Sequence, residues 1–514
     1  TGEQNVAVGA ESAEALTTGN YNTAVGYRSL EATTTGSQNV AIGRSAMEAN
    51  TTASDNVAVG FAALEVNTTG ANNVAVGKSA LVANTTGSEN TAVGQNAGDA
   101  ITTGSTNTCV GQSALSATTT GGTNTAMGVD ALNANTTGAA NTAVGHAALG
   151  ANTTASYNTA VGRHAALSNT TGDGITAIGH QALNSNTTGD DNIAVGGYGA
   201  SSDIYAPLYA NTTGSRNIAI GVGALRANTT ADDNTAVGHG ALLSNTTGTA
   251  NDAFGKATLD ACTTGYGNAA FGGDAGGSIT TGILNTAVGV NAGNSVTTGQ
   301  QNAMLGQAAG SSVTTGTNNT AVGKSSGNNI TTGSYNTMIG SDTTITNATT
   351  NNANSLGFGI ASTSGYTTIG ITTSDIRAQH GNITWATVSD ERVKKDIEDA
   401  TVGLAFINDL RPVTFNYKHK GDIPENFRGY EEGSTEVYKN SKSQHGFIAQ
   451  EVKAAIDKHS DIKDGFSMWD DDDSTGQQRV GETAVVPMLV KAVQELSAEI
   501  EELKTQPKCK CNEE

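Results

Sequence analysis

Large side chains are scarce: aromatics make up 4 % of the 514 residues and charged residues 14 %, while glycine occurs 65 times. A chain so poor in bulk cannot fill the interior of an ordinary globular domain of this length. Length without bulk calls for an elongated form, built from thin layers of Ala, Val, Ile and Leu. Basic charge is short as well, with 26 Lys+Arg against 47 Asp+Glu and a net charge of −21. Nucleic acid and anionic membrane are thereby excluded as expected partners, because both bind through Lys/Arg surfaces. Long apolar runs are missing: no stretch of about 18 apolar residues exists, so no membrane insertion as a helix is expected. Cysteine is limited to four residues. Cys109 stands where the repeat has Ala and Cys262 where it has Asn or Val, so both read as small buried residues. Cys509 and Cys511 have no accompanying ligand cluster and read as a flexible tail; no metal and no cofactor is expected. The chain begins Thr1-Gly2, and an attachment segment upstream is expected to lie out of view.

The dominant feature is a repeat. Asn-Thr-Ala-Val-Gly or a near variant recurs at Asn5, Asn22, Asn39 and onward to Asn158, always 17 residues apart. The frame continues through Ile175 and Asn192, skips 25 residues to Asn217, and resumes at 17 to Asn336. The full unit reads N-T-A-V-G-x-x-A-L-x-x-N-T-T-G-x-x. Such a unit is too short for a helix pair, and its Gly and Asn-Thr-Thr-Gly punctuation divides it into two short extended pieces joined by turns. Each unit is therefore one coil of a β-solenoid shaft spanning residues 1–340, and parallel stacking at about 4.8 Å per coil makes it on the order of 100 Å long. Neighbouring strand residues such as Ala24 and Val25 point to opposite faces, so both faces are expected to be covered, one inside the coil and one by sister chains. A homotrimer is the natural arrangement; a monomeric coil is the alternative.

The residues after each Val-Gly or Ile-Gly vary, and His146, His164, His180 and His239 there read as solvated side chains rather than metal ligands. The eight-residue excess before Asn217 brings Tyr198, Tyr205 and Tyr209 into a shaft with few aromatics. They are candidate contacts to a receptor glycan or protein, with a neutral surface bulge as the plainer reading. Asn50, Asn67 and Asn84 open Asn-Thr-Thr sequences that match the glycosylation acceptor pattern, yet their recurrence in phase with the coil favours a turn or a side-chain hydrogen-bond ladder. The phrases Asn5-Val6-Ala7-Val8-Gly9 and Asn39-Val40-Ala41-Ile42-Gly43 resemble head repeats of trimeric autotransporter adhesins, a likeness that implies a trimeric parallel β-roll.

The 17-residue frame ends after Gly340. Residues 341–388, rich in Thr and Asn, read as a small β tip or connector. At Ser389 Lys, Asp, Glu and aromatics return, and residues 389–514 are expected to form a compact α/β domain. Ser389-Asp390-Glu391-Arg392-Val393-Lys394-Lys395-Asp396-Ile397 resembles the opening of the endosialidase-type intramolecular chaperone, the self-cleaving C-terminal domain of phage tail spikes and fibres. His445-Gly446-Phe447-Ile448-Ala449-Gln450-Glu451-Val452 resembles its internal helix motif, and the stretch from Val486 to Leu496 its final helix; Leu410-Arg411-Pro412-Val413-Thr414-Phe415 fits between the first two.

The resemblance implies that Ser389 is the nucleophile and Lys394 the base of a single self-cleavage between Val388 and Ser389, with Asp390 orienting the turn and Lys395 the weaker candidate base. A serine hydroxyl is a weak nucleophile until a nearby base takes its proton, and lysine serves when burial lowers its pKa. From spacing alone the same residues read as a charged helix start, with Ser389 as N-cap. Val486, Leu489, Val493, Leu496, Ile500 and Leu503 alternate steps of three and four, which marks either a short coiled coil gathering three chains or a helix packed on its own domain. A register device is needed, because identical coils slip past one another at little local cost. Trp469 and Asp470 to Asp473 lack the spacing of a calcium loop and read as a solvated loop.

The sequence thus describes a mainly β protein: a trimeric solenoid, a small β tip, and an α/β chaperone domain ending in a coiled-coil helix. The expected function is a phage tail fibre or spike in the virion, assembled in the host cytoplasm. Its expected partners are a host cell-surface glycan or protein and other virion proteins, and its only chemistry is self-cleavage. Two alternatives are a polysaccharide-degrading spike and a cellular trimeric adhesin. The first needs two carboxylates roughly 5 to 9 Å apart in a groove, whereas acids such as Asp232 and Asp233 have no aromatic cluster beside them.

Overall fold

The computed structural model describes residues 2–197, 206–382, 385–387, 389, 391–427, 429–462, 466–472 and 477–506. The chain divides into two compact units, Thr1–Val388 and Ser389–Glu514.

In the first unit every repeat makes one coil of a parallel β-solenoid. Each coil carries a single three-residue strand, from β1 (Val6–Val8) and β2 (Thr23–Val25) to β20 (Thr337–Ile339). Each strand pairs in parallel with the next repeat's, so identical positions stack: Thr23 on Val40, Ala24 on Ala41, Val25 on Ile42. The 25-residue step leaves the stack unbroken, since Ile193 pairs with Ile218. The second expected extended piece is not a strand. Arg28, Leu30 and Gln38 have φ of 58°, 52° and 61°, and left-handed residues turn the chain instead of extending it. The turning segment still bonds coil to coil, with Thr34 N donating to Thr51 O at 2.9 Å.

The interior is thin, and the residues match it. Ala at the strand centre (Ala41, Ala58, Ala75) and the Ala-Leu pairs (Ala63, Leu64) are fully buried. Stacked identical residues build two ladders of buried asparagine. In the first, Asn39 donates its backbone N–H (3.0 Å) and Nδ2 (3.1 Å) to Oδ1 of Asn22 and reaches Ala53 O at 2.9 Å. In the second, Asn84 Nδ2 donates to Asn67 Oδ1 at 2.9 Å. Asn50, Asn67 and Asn84 are fully buried, so the ladder reading of Asn-Thr-Thr holds over the glycan one. Gly26 follows the strand at φ 136°, and a Cβ there would meet Gly43 O at 2.5 Å; the close approach of successive coils requires glycine.

The other strand face is left open by the chain's own coils. Ala points inward, but the third strand residue points out and is uncovered: Ile42, Ile178, Ile220 and Leu305 are each 40 % exposed. Within one chain only one face is buried, and the outer face is a continuous apolar column.

Stacking extends one coil past Gly340. After β21 (Thr344–Ile345), strand β22 (Asn354–Phe358) lies parallel to β20, with Thr337 paired to Asn354. Next come β23 (Ala361–Ser362), which pairs with β21, and β24 (Tyr366–Ile371), parallel to β22. Then β25 (Ser374–Gln379) and β26 (Ala386–Thr387) add antiparallel pairings. The change of direction ends the parallel stack with a hairpin that covers an otherwise open strand edge.

Candidate functional site

The second unit gathers the phrases that the sequence set apart. Its helices are α1 (Leu404–Asp409), α2 (Ala449–Asp457) and α3 (Val486–Thr505). Strands β27 (Val413–Phe415) and β28 (Gln444–Gly446) pair antiparallel, Val413 opposite Gly446, which joins the Leu410 phrase to the His445 phrase. Arg411 then reaches Glu451 on α2, with Nε 2.9 Å from Oε2. Phe406, Val452, Ala455, Ile456, Met468 and Val485 form the core. Helix α3 lies against α1 at Gly403, where a Cβ would come 2.6 Å from Lys491 Cγ, and Glu495 Oε2 accepts the Leu404 N–H at 2.6 Å.

The acidic run is not a loop. Trp469–Asp472 is a strand, β29, paired antiparallel with β30 (Gln477–Val480). Trp469 anchors it: its ring carries Lys453 Nζ at 5.1 Å and its Nε1 donates to Gln478 Oε1 at 3.3 Å. A cavity of about 730 Å³ lies nearby, lined by Phe415, Tyr417, Tyr438, Phe447, Gln477 and Glu482 among others. Sequence reasoning did not single out this cavity; the aromatic pair Phe415 and Tyr417, whose ring centroids lie 5.4 Å apart, was the available signal.

Ser389 and Lys394 stand at the start of this unit. A single 3-10 turn, Glu391–Val393, closes with Lys394 N donating to Glu391 O at 3.0 Å. That reversal brings side chains five residues apart together, and Lys394 Nζ lies 2.9 Å from Ser389 Oγ. This is hydrogen-bond distance, within the reach required of a nucleophile and its base. No helix follows the turn, so the N-cap reading of Ser389 does not describe it. Lys395 lies 3.8 Å from Asp396 instead. Ser389 and Lys394 are both exposed. Val388 and Asp390 lie outside the described residues, as do Tyr198, Tyr205, Asp473, Cys509 and Cys511. Tyr209 is described: it is half-buried and takes its place in the coil, its carbonyl accepting the Ser185 N–H at 3.2 Å.

The coiled-coil positions of α3 are uncovered within the unit. Val493 is 61 % exposed and Leu503 65 %, and only Ala492 of this helix is buried. The helix packs on α1 through Gly403, Lys491, Ala492 and Glu495, leaving its apolar seam free. Among the histidines, His146 and His164 rings lie 5.4 Å apart and Arg163 Nη1 is 3.2 Å from His180 Nε2. Burial and then the Arg163 charge push the His164 pKa down. Among the described residues, no three His, Cys, Asp or Glu side chains come together as a metal-ligand set, and no helix is long and apolar enough to cross a membrane.

A family model described as the chaperone of endosialidase matches residues 389–461. The match begins at Ser389, where the second compact unit begins, and ends before β29, β30 and α3. Comparison with curated proteins and with solved structures finds no match.

Proposed function

We propose that this chain is a tail fibre or spike of a phage, a structural and host-binding homotrimer whose C-terminal unit gathers three copies and cuts itself off before Ser389. The carrying observation is the 2.9 Å approach of Lys394 Nζ to Ser389 Oγ at the first residue of the matched segment. In this step the Lys394 amine takes the hydroxyl proton while Ser389 Oγ bonds to the Val388 carbonyl carbon. The Val388–Ser389 amide bond breaks, the proton passes to the freed amine, and water hydrolyses the ester. Each chain performs this once.

Two uncovered apolar surfaces support assembly. The α3 seam suits a short coiled coil, and the outer column of the solenoid suits burial against sister shafts. Host contact is assigned to a surface glycan or protein through Tyr198, Tyr205 and Tyr209, and the place of action to the virion. Intact-mass measurement of the purified product tests the central chemistry. Wild type yields a break before Ser389, whereas Ser389→Ala and Lys394→Ala stay whole. Wild type that remains whole once assembled removes the protease role.

A further inference from the structure

The outer face of the solenoid has two unlike edges. Numbering each repeat from its Asn, the strand occupies positions 2 to 4, so position 6 lies at the strand's C-terminal end and positions 16 and 17 lie where the chain enters the next strand. Strands β1 to β20 all run parallel, so each edge runs the length of the repeat stack. Position 6 holds Arg44, Lys78, Arg163, Lys256 and Lys324, together with three histidines, and never Asp or Glu. The opposite edge holds Asp55, Glu89, Asp173, Tyr266 and Tyr335, and its one arginine, Arg216, is paired within the chain to Asp233 at 2.7 Å.

These two sets match coil by coil. Arg44 shares its repeat with Asp55, Lys78 with Glu89, Arg163 with Asp173, Lys256 with Tyr266 and Lys324 with Tyr335. Every Lys or Arg at position 6 thus has an acid or a tyrosine, both partners for a cation, on the far edge of its own coil. The match is not an intrachain contact: Arg44, Lys78, Asp55 and Glu89 are exposed and form no ion pair with described residues of their own chain. Arg44 instead lies over the Phe61 ring at 5.6 Å. Edges on opposite sides of one sheet face each other only across a boundary between molecules.

We propose that the occupant of the apolar outer column is a second copy of this chain, parallel and in register, with the basic edge of one copy against the acid and tyrosine edge of the next. Rotation about an axis parallel to the shaft places unlike edges together, whereas an antiparallel neighbour would set basic edge against basic edge. It also places residue 44 of one copy about one coil spacing, ~4.8 Å along the shaft, from residue 55 of its neighbour, within reach of an arginine. The apolar column is nearly the same in every coil and tolerates slippage; the charges differ from coil to coil and oppose it. This inference rests on the homotrimer reading and specifies its polarity and register.

The test uses the full chain in a Cys509→Ser, Cys511→Ser background. Sedimentation first gives the copy number, and a monomer would overturn both this inference and the trimer reading. In a trimer, Arg44→Cys with Asp55→Cys is expected to oxidise to covalent trimers, while Arg44→Cys with Glu89→Cys, two coils out, is not. Arg44→Glu with Lys78→Glu is expected to weaken the trimer by on the order of tenfold, and adding Asp55→Lys with Glu89→Lys to restore it. A trimer that cross-links equally at both cysteine pairs, or is indifferent to the charge reversals, overturns the edge pairing and leaves the trimer standing.

Discussion

A Cβ placed on Gly98 would lie 2.9 Å from Ile101 Cδ1 and 3.1 Å from Leu81 Cδ2. Ile101 fills the space that leucine at the Gly98 position takes in most other coils, as in Leu64 and Leu81, where the partner residue is Asn67 or Asn84. The same exchange recurs as Gly276 with Ile279 and Gly327 with Ile330. Two coil types therefore fill one cross-section, and volume is exchanged between two positions.

Gly98→Leu alone should overpack the coil and lose about 1–3 kcal/mol. Ile101→Asn alone should leave a void. Combined, they recreate the Leu/Asn coil, and the new amide gains a partner, because Asn84 Oδ1 is buried without one. The double variant should return to within about 1 kcal/mol of wild type in urea unfolding; simple addition of the two losses would refute the exchange.

The asparagine ladder should be costly to interrupt. Asn67 donates to Asn50 Oδ1 at 3.3 Å and Gly70 O at 2.9 Å, and accepts from Asn84 at 2.9 Å. Asn67→Ala leaves those buried groups unpaired and should cost about 2–4 kcal/mol. Hydrogen exchange should show the loss confined to the coils around residue 67, since each coil touches only its neighbours.

Burial pushes the Asp99 carboxyl above its ordinary value of 3.8, against weaker opposing backbone hydrogen bonds, and leaves its Oδ1 unpartnered. The folded state then holds the proton more tightly than the unfolded state, so stability falls as pH rises from 3.8 through the raised value. Asp99→Asn should raise the melting temperature by about 1–2 °C at pH 7, and the gain should vanish below the ordinary carboxylate range. A gain of equal size at every pH would contradict desolvation as its cause.

Cys109 and Cys262 are buried, and burial pushes their thiols up to about 12 and about 11. The thiolate is the reactive form, so iodoacetamide at pH 8 should spare both in the native protein and modify both in guanidinium. Native-state alkylation of either would mean that its coil opens.

The sequence exposes the solenoid because stacking makes it repetitive: a residue needed once per turn, such as Gly26 or Asn39, returns every 17 residues. The turn chemistry is less legible. Leu30 sits at φ 52° although leucine has no preference for that region; its burial and its N–H bond to Ala46 O at 3.1 Å hold it there, and the expected second strand fails for this reason. The two strand faces were legible in the neighbours Ala24 and Val25, and the folded chain adds the degree of exposure, with Ile42 on the outer face 40 % exposed. At the second unit the composition change marks Ser389, but the contact with Lys394 depends on a single 3-10 turn that residue spacing cannot distinguish from a helix start. The acidic strand from Trp469 to Asp472 was hidden by its charge, which reads as loop until Trp469 is seen anchored on Lys453.

Native mass spectrometry of the uncut Ser389→Ala chain measures most directly whether the terminal unit brings the shafts together. The expected species is three copies of the 51.7 kDa chain. A well-folded particle with the mass of one chain would contradict it.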